Sequence, residues 1–143
     1  MTSVLDINHP QSIEDASLSI IDSEVPEPRK YAGYQWEIVR RMIHTTADFE
    51  LLDLVRFHPH SVDSALKALG KGTAIVTDTE MARMGIPMRR MTPLGVSVSC
   101  FMNDEIVVKR AKEMGTTRAR LAMEKALASK NTPILVIGNA PTA

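Results

Sequence analysis

The chain is predicted to adopt an α/β fold, a mostly parallel β-sheet with helices on both faces, in a single domain over residues 1–143. Three observations predict it. From residue 61 onward, short apolar runs alternate with segments of helical period, as strands joined by crossover helices do. The run Pro133-Ile134-Leu135-Val136-Ile137 is the clearest strand, an uninterrupted apolar run with three β-branched residues. At 143 residues the chain can bury a core without disulfides or metal.

The elements follow in order. Pro10 to Glu24 has helical spacing, with Ile13, Ser17, Ile20 and Ile21 on one face and Ser12 as the expected N-cap, Asp15 three residues later. Pro26-Glu27-Pro28 must end this helix. A second helix is expected from Gly33 to Thr46, burying Trp36, Val39 and Ile43, with Glu37, Arg41, His44 and Asp48 along another face. Leu51 to Phe57 is ambiguous between helix and strand. Ser61 to Leu69 reads as a helix closed by Gly70 and Gly72. Thr73-Ala74-Ile75-Val76 is a short buried strand, and Thr77-Asp78-Thr79 a turn able to cap a helix from Glu80 to Met84. Val96 to Phe101 is a strand, Asp104 to Met114 and Thr117 to Ser129 are helices, and Pro133 to Ile137 is the last strand. Residues 138–143 follow it directly, at the position where open parallel sheets bind ligands.

Charge excludes some classes. The 17 basic residues balance the 17 acidic ones, which argues against a nucleic-acid footprint or a basic membrane-surface helix while leaving room for a local cationic pocket. No apolar run approaches the roughly 20 residues of a membrane span. Cys100 is the single cysteine, which fits a reducing compartment. The N-terminus lacks the regions of a signal peptide. The expectation is a soluble, cytoplasmic protein.

The candidate chemistry centres on Arg40-Arg41-Met42-Ile43-His44-Thr45-Thr46-Ala47-Asp48. Imidazole, with an ordinary pKa of about 6.5, gives and takes protons near neutrality. The two arginines one turn earlier can hold an anionic ligand against it. The segment reads as acid catalysis on a carboxylate-bearing substrate, or else as a helix end with His44 charge-paired to Asp48. His9 reads as a solvated tail residue. His58-Pro59-His60 lacks the further ligands of a metal shell, so no protein-held metal is expected. Gly115-Thr116-Thr117-Arg118 opens a helix with hydroxyls and an arginine, either an anion seat or a plain cap. Without the three-glycine fingerprint, Gly138-Asn139-Ala140 does not bind nicotinamide or flavin. Ser17 and Thr77-Asp78-Thr79 are explained by capping alone. Met81, Met84, Met88 and Met91 suit an irregular core or an interface. Cys100 is expected to be buried and inert. No serine sits in a nucleophile elbow.

Together these segments resemble the precorrin-8X methylmutase family, including its cobalt-precorrin-8 form. The matching pieces are residues 13–17 with Ile20-Ile21, Val39 through Phe49, Arg56-Phe57, Gly72 through Met81, Gly85-Ile86, Gly115 through Arg118, and Val136 through Ala143. They occur in the family's order across nearly the whole chain. The resemblance implies an isomerase of cobalamin biosynthesis that moves a methyl group within corrin ring C, converting (cobalt-)precorrin-8 to hydrogenobyrinate or cobyrinate. It implies His44 as the acid/base that protonates the macrocycle and recovers the proton. It implies Ser17, Arg41, Thr77, Asp78, Thr117 and Arg118 as substrate contacts, no cofactor, a corrinoid substrate that carries any cobalt itself, and a homodimer. Two departures stand out. Many members have an arginine where this chain has Ala16, and the family continues past Pro141-Thr142-Ala143, so the chain is expected to be C-terminally incomplete. The alternatives are a non-catalytic corrin-binding module, an inactive fragment of the enzyme, or an unspecific α/β interaction domain.

Overall fold

A proline opens the first helix of the computed structural model, which describes residues 9–129, 131–139 and 141–143. Helix α1 (Pro10–Glu24) places Pro10 at its start and His9 at the N-cap, with no side-chain cap bond. Ser12 is therefore not the cap expected of it. A proline's fixed φ and missing N–H suit the first helical position, and that preference starts the helix at Pro10 and puts the cap at His9, three residues before Ser12. The helix stops at Val25, extended as a residue before proline should be.

Helix α2 (Gly33–Thr46) buries Trp36, Val39 and Ile43, the stripe read from the sequence. Val39 has no exposed surface, and full burial of a valine contributes about 1.5 kcal/mol or more. These three meet Ile21, Val25 and Tyr31 in one core. The ambiguous segment becomes a single helical turn, α3 (Leu51–Leu54), and turns extended at Val55. Tyr31 Oη donates to the Val55 carbonyl at 2.6 Å, and its ring meets Phe57 edge-on at 5.4 Å. These elements form one compact unit, ending at Val62; a second runs from Asp63.

α4 (Ser61–Gly70), whose first two residues belong to the first unit, leads into β1 (Ile75–Thr77), then α5 (Glu80–Gly85), α6 (Met88–Met91), a 3-10 turn (Thr92–Leu94) and β2 (Val98–Cys100). α7 (Glu105–Met114) and α8 (Arg118–Leu127) follow, and β3 (Ile134–Val136) closes the sheet. α6 and the 3-10 turn are not foreshadowed by any periodicity. The strand order is β2-β1-β3. Both pairings are parallel, with Val76 opposite Ser99 on one side and Leu135 on the other. Met123 and Ala126 of α8 pack on Val76, while Leu121 and Ala122 meet Val107 and Ala111 of α7. The chain leaves β1 toward one neighbour and reaches the other from β2, so the order reverses at β1. Such a reversal opens a crevice beyond the carboxyl ends of the strands, here Thr77-Asp78 and Gly138-Asn139.

Candidate functional site

His44 sits in the last turn of α2, which Ala47 terminates in the left-handed region at φ 55°. Its ring is half-buried. Nδ1 lies 2.8 Å from Ser17 Oγ, a residue of α1 lying 27 positions earlier. A hydroxyl both donates and accepts, so Ser17 can partner the neutral ring and the imidazolium alike. With Nδ1 engaged, Nε2 is the nitrogen left to act on a ligand. Both side chains border a cavity of about 410 Å³, walled by Ile13, Ile20, Ile43 and Phe49. The shared α1 face read from the sequence thus divides. Ile21 enters the core, whereas Ile13 and Ile20 stay half-exposed along this groove.

Asp48 is not the partner of His44. It folds back on its own turn, Oδ1 accepting the Glu50 N–H at 2.9 Å. Nor do the two arginines act together. Arg40 Nη1 binds Asp22 Oδ2 and its Nη2 binds Glu37 Oε2, each at 2.6 Å. Asp22 also accepts Trp36 Nε1–H at 3.0 Å, and the Arg29 guanidinium stacks 4.7 Å from the Trp36 ring. Burial works against the Arg40 charge, but the hydrogen bonds to Glu37 and Asp22 outweigh it and raise the pKa further. Arg40 is a structural cation. Arg41 is the available one: its head pairs with Glu14 at 2.7 Å and remains 54% exposed. It lines a separate apolar groove with Ile38, Met42 and Leu51.

The remaining expected contacts lie in the second unit. Thr77 and Asp78 have no exposed surface. Thr77 Oγ1 donates to the Thr79 carbonyl, and the Asp78 carboxylate accepts the N–H groups of Gly138 and Asn139. Thr79 alone makes the cap of α5, accepting from Ala82 N–H. Thr117 and Arg118 are exposed at the start of α8. Thr117 caps that helix and touches Thr142 Oγ1 at 2.8 Å. Arg118 reaches Asn103 Oδ1 at 3.4 Å. Gly115 turns the chain between α7 and α8 at φ 61°, where a Cβ is disfavoured. The structure therefore brings Ser17 to His44 in one unit, and gathers Thr117, Arg118, Asn103 and Thr142 in the other. Asn103 escaped the sequence reading, and Thr142 was read only as part of the closing motif, because only folding carries them to α8.

Other candidates are plainer. His58 and His60 are exposed neighbours, ring centroids 5.7 Å apart. Among the described residues no group of three or more histidine, cysteine or carboxylate side chains converges as a metal shell. No described helix is long and apolar enough to cross a membrane. Cys100 is a free thiol, half-buried rather than enclosed. Met81 and Met84 do not fill a core: they are 73% and 74% exposed.

Comparison with known proteins assigns the family. The family model for precorrin-8X methylmutase (CbiC) matches residues 12–143. The cobalt-precorrin-8 methylmutase of Leptospira interrogans is 43% identical over 135 residues, covering 93% of this chain and 61% of that protein. Its counterpart from Priestia megaterium is 37% identical, over 94% of this chain and 59% of that protein. The crystal structure of precorrin-8x methyl mutase from Thermus thermophilus superposes with a TM-score of 0.82 at 38% identity, covering 92% of this chain and 64% of that one. The chain spans about three fifths of the length of the two curated relatives. On its motifs, its fold and these matches, the chain belongs to the precorrin-8X methylmutase family.

Proposed function

We propose that the chain performs its family's reaction, moving a methyl group within ring C of a precorrin-8 or cobalt-precorrin-8 macrocycle, with His44 as the proton donor and acceptor. The observation that carries this is the 2.8 Å contact between Ser17 Oγ and His44 Nδ1 at the edge of an apolar groove. A general acid must be held within hydrogen-bond reach of the atom it protonates, and this contact fixes the ring.

In the proposed sequence, the imidazolium gives its Nε2 proton to the macrocycle. The methyl group then shifts between adjacent ring carbons, and the proton returns to Nε2. Ser17 stays bonded through both states, its hydroxyl accepting from Nδ1–H throughout, because the proton leaves and returns at Nε2. The product is hydrogenobyrinate or cobyrinate, and no atom is gained or lost. The apolar wall suits the flat face of the macrocycle. Its acetate and propionate arms call for charged donors; Arg41 is an exposed cation of the first unit, and Arg118 is one of the second. The Arg41–Glu14 pair is solvent-accessible, and exposed pairs are worth only about 0–1 kcal/mol, so a substrate carboxylate can displace Glu14 cheaply. The printed names of the relatives support a cobalt-bearing substrate. The same reading includes a cytoplasmic homodimer without a cofactor of its own, for which Met81 and Met84 offer exposed apolar surface.

The test is His44→Ala, with product binding and turnover of precorrin-8 followed by absorbance. Turnover should vanish while cobyrinic acid still binds. Turnover retained in the variant, or corrin binding without turnover in the wild type, would reject acid catalysis by His44.

A further inference from the structure

Asp78 raises a question of charge. The proposed substrate bristles with carboxylates, and a carboxylate beside them repels rather than binds. Asp78 is also fully buried at the end of β1. Its bonds run to the end of β3 instead. Its N–H donates to the Val136 carbonyl at 3.0 Å, extending the β1–β3 ladder. Its Oδ1 accepts Gly138 N–H at 2.8 Å and its Oδ2 accepts Asn139 N–H at 2.9 Å. Burying a carboxylate is costly unless it is hydrogen-bonded, and charge-assisted bonds to successive N–H groups leave the turn little freedom. A side chain at residue 138 would crowd this approach. A Cβ there would lie 3.1 Å from Ala82 Cβ and 3.4 Å from Asp78 Oδ1. A few residues on, Thr142 meets Thr117 at the start of α8, next to Arg118.

We infer that Asp78 is a positioning residue: its carboxylate clamps the Gly138-Asn139 turn at the carboxyl edge of the sheet, and the clamped turn holds Thr142 against Thr117 so that the Arg118 region is pre-formed for a substrate carboxylate. The last step rests on the proposed function, whereas the clamp itself does not. Asp78 touches the turn and not the ligand.

The test uses Asp78→Asn in the full chain, with Gly138→Ala as a second variant that opens the clamp from the opposite side. Two quantities are read: amide hydrogen exchange at Gly138 and Asn139, and affinity for cobyrinic acid by absorbance titration. In Asp78→Asn one acceptor becomes a donor facing an N–H. Exchange at both amides should accelerate and affinity fall about tenfold, the size expected of one charge-assisted hydrogen bond. Thr142→Ala should weaken binding in the wild type and add nothing in Asp78→Asn, because the turn that presents it is already free. A merely structural Asp78 would leave the two effects additive, and that result overturns the inference. So does unchanged exchange, or faster exchange with full affinity. If Asp78→Asn does not fold, Gly138→Ala decides by the same criteria. A wild-type chain that binds no cobyrinic acid refutes the functional reading instead, and the exchange rates then decide the clamp alone.

Discussion

Asp22→Ala should destabilise the first unit by about 2–3 kcal/mol, and the structure shows how that figure arises. Asp22 is the only residue of α1 that receives bonds from both Trp36 and Arg40 of α2, at 3.0 and 2.6 Å. Removing its carboxylate strands the indole N–H, for which a loss of about 1–3 kcal/mol is usual. Arg40 loses one of its two anionic partners but retains Glu37. Its side chain is 18% exposed and that of Asp22 33%, so this second loss falls near the surface-pair value of about 1 kcal/mol, well below that of a broken buried pair. The assay is urea unfolding followed by fluorescence of Trp36, the single tryptophan. Asp22→Asn, which keeps an acceptor for the indole, should recover roughly half the loss. A loss below about 1 kcal/mol for Asp22→Ala, or equal losses for both variants, would show that solvent replaces the network and that Arg40 is not committed to structure.

Ala47→Gly should stabilise the chain by about 0.5–1 kcal/mol. The left-handed conformation at φ 55° costs an alanine about 1–2 kcal/mol, from which glycine's greater unfolded-state freedom takes back part; the denaturation midpoint checks it, and a lower midpoint would refute it. Acid sensitivity should trace partly to Asp104. The hydrogen bond from Lys125, followed by that from the Val107 N–H, holds its pKa below the ordinary 3.8. A depressed carboxylate contributes its full stability above the unfolded pKa and loses it as pH falls through the folded one. Asp104→Asn should therefore narrow its deficit against the wild type below pH about 4 and keep it constant above pH about 5. Unfolding midpoints across that range measure it, and a gap that widens in acid would contradict the assignment.

The sequence was most legible where one strong local preference acted alone. α1 and α2 begin and end where expected because Pro10, Pro26 and a three-residue apolar stripe leave little choice. The Ser12 cap failed because a proline two residues earlier competes for the same role. Residues 88–94 hid two short helical turns, α6 and the 3-10 turn, since one turn is too short to show a period. At the site, the histidine was visible and its partner was not. Asp48 was the natural guess by spacing along one helix, whereas Ser17 reaches His44 only through the packing of α1 on α2. The burial of Asp78 was equally hidden, because it depends on β3 lying next to β1.

The dependence of His44 on a second helix has a wider consequence. Nothing on α2 sets the ring's direction; the packing of Ile21 against Val39 and Ile43 does, by fixing how far α1 has slid along its neighbour. A slip of one residue moves a helix about 1.5 Å, which is enough to take a 2.8 Å contact out of hydrogen-bond range. A substitution at Val39, which has no exposed surface, can thus look like an active-site lesion in a rate assay although that side chain never meets the substrate. For this unit, a survey that sorts variants by distance from the ligand will misfile those that detune the reaction from inside the core.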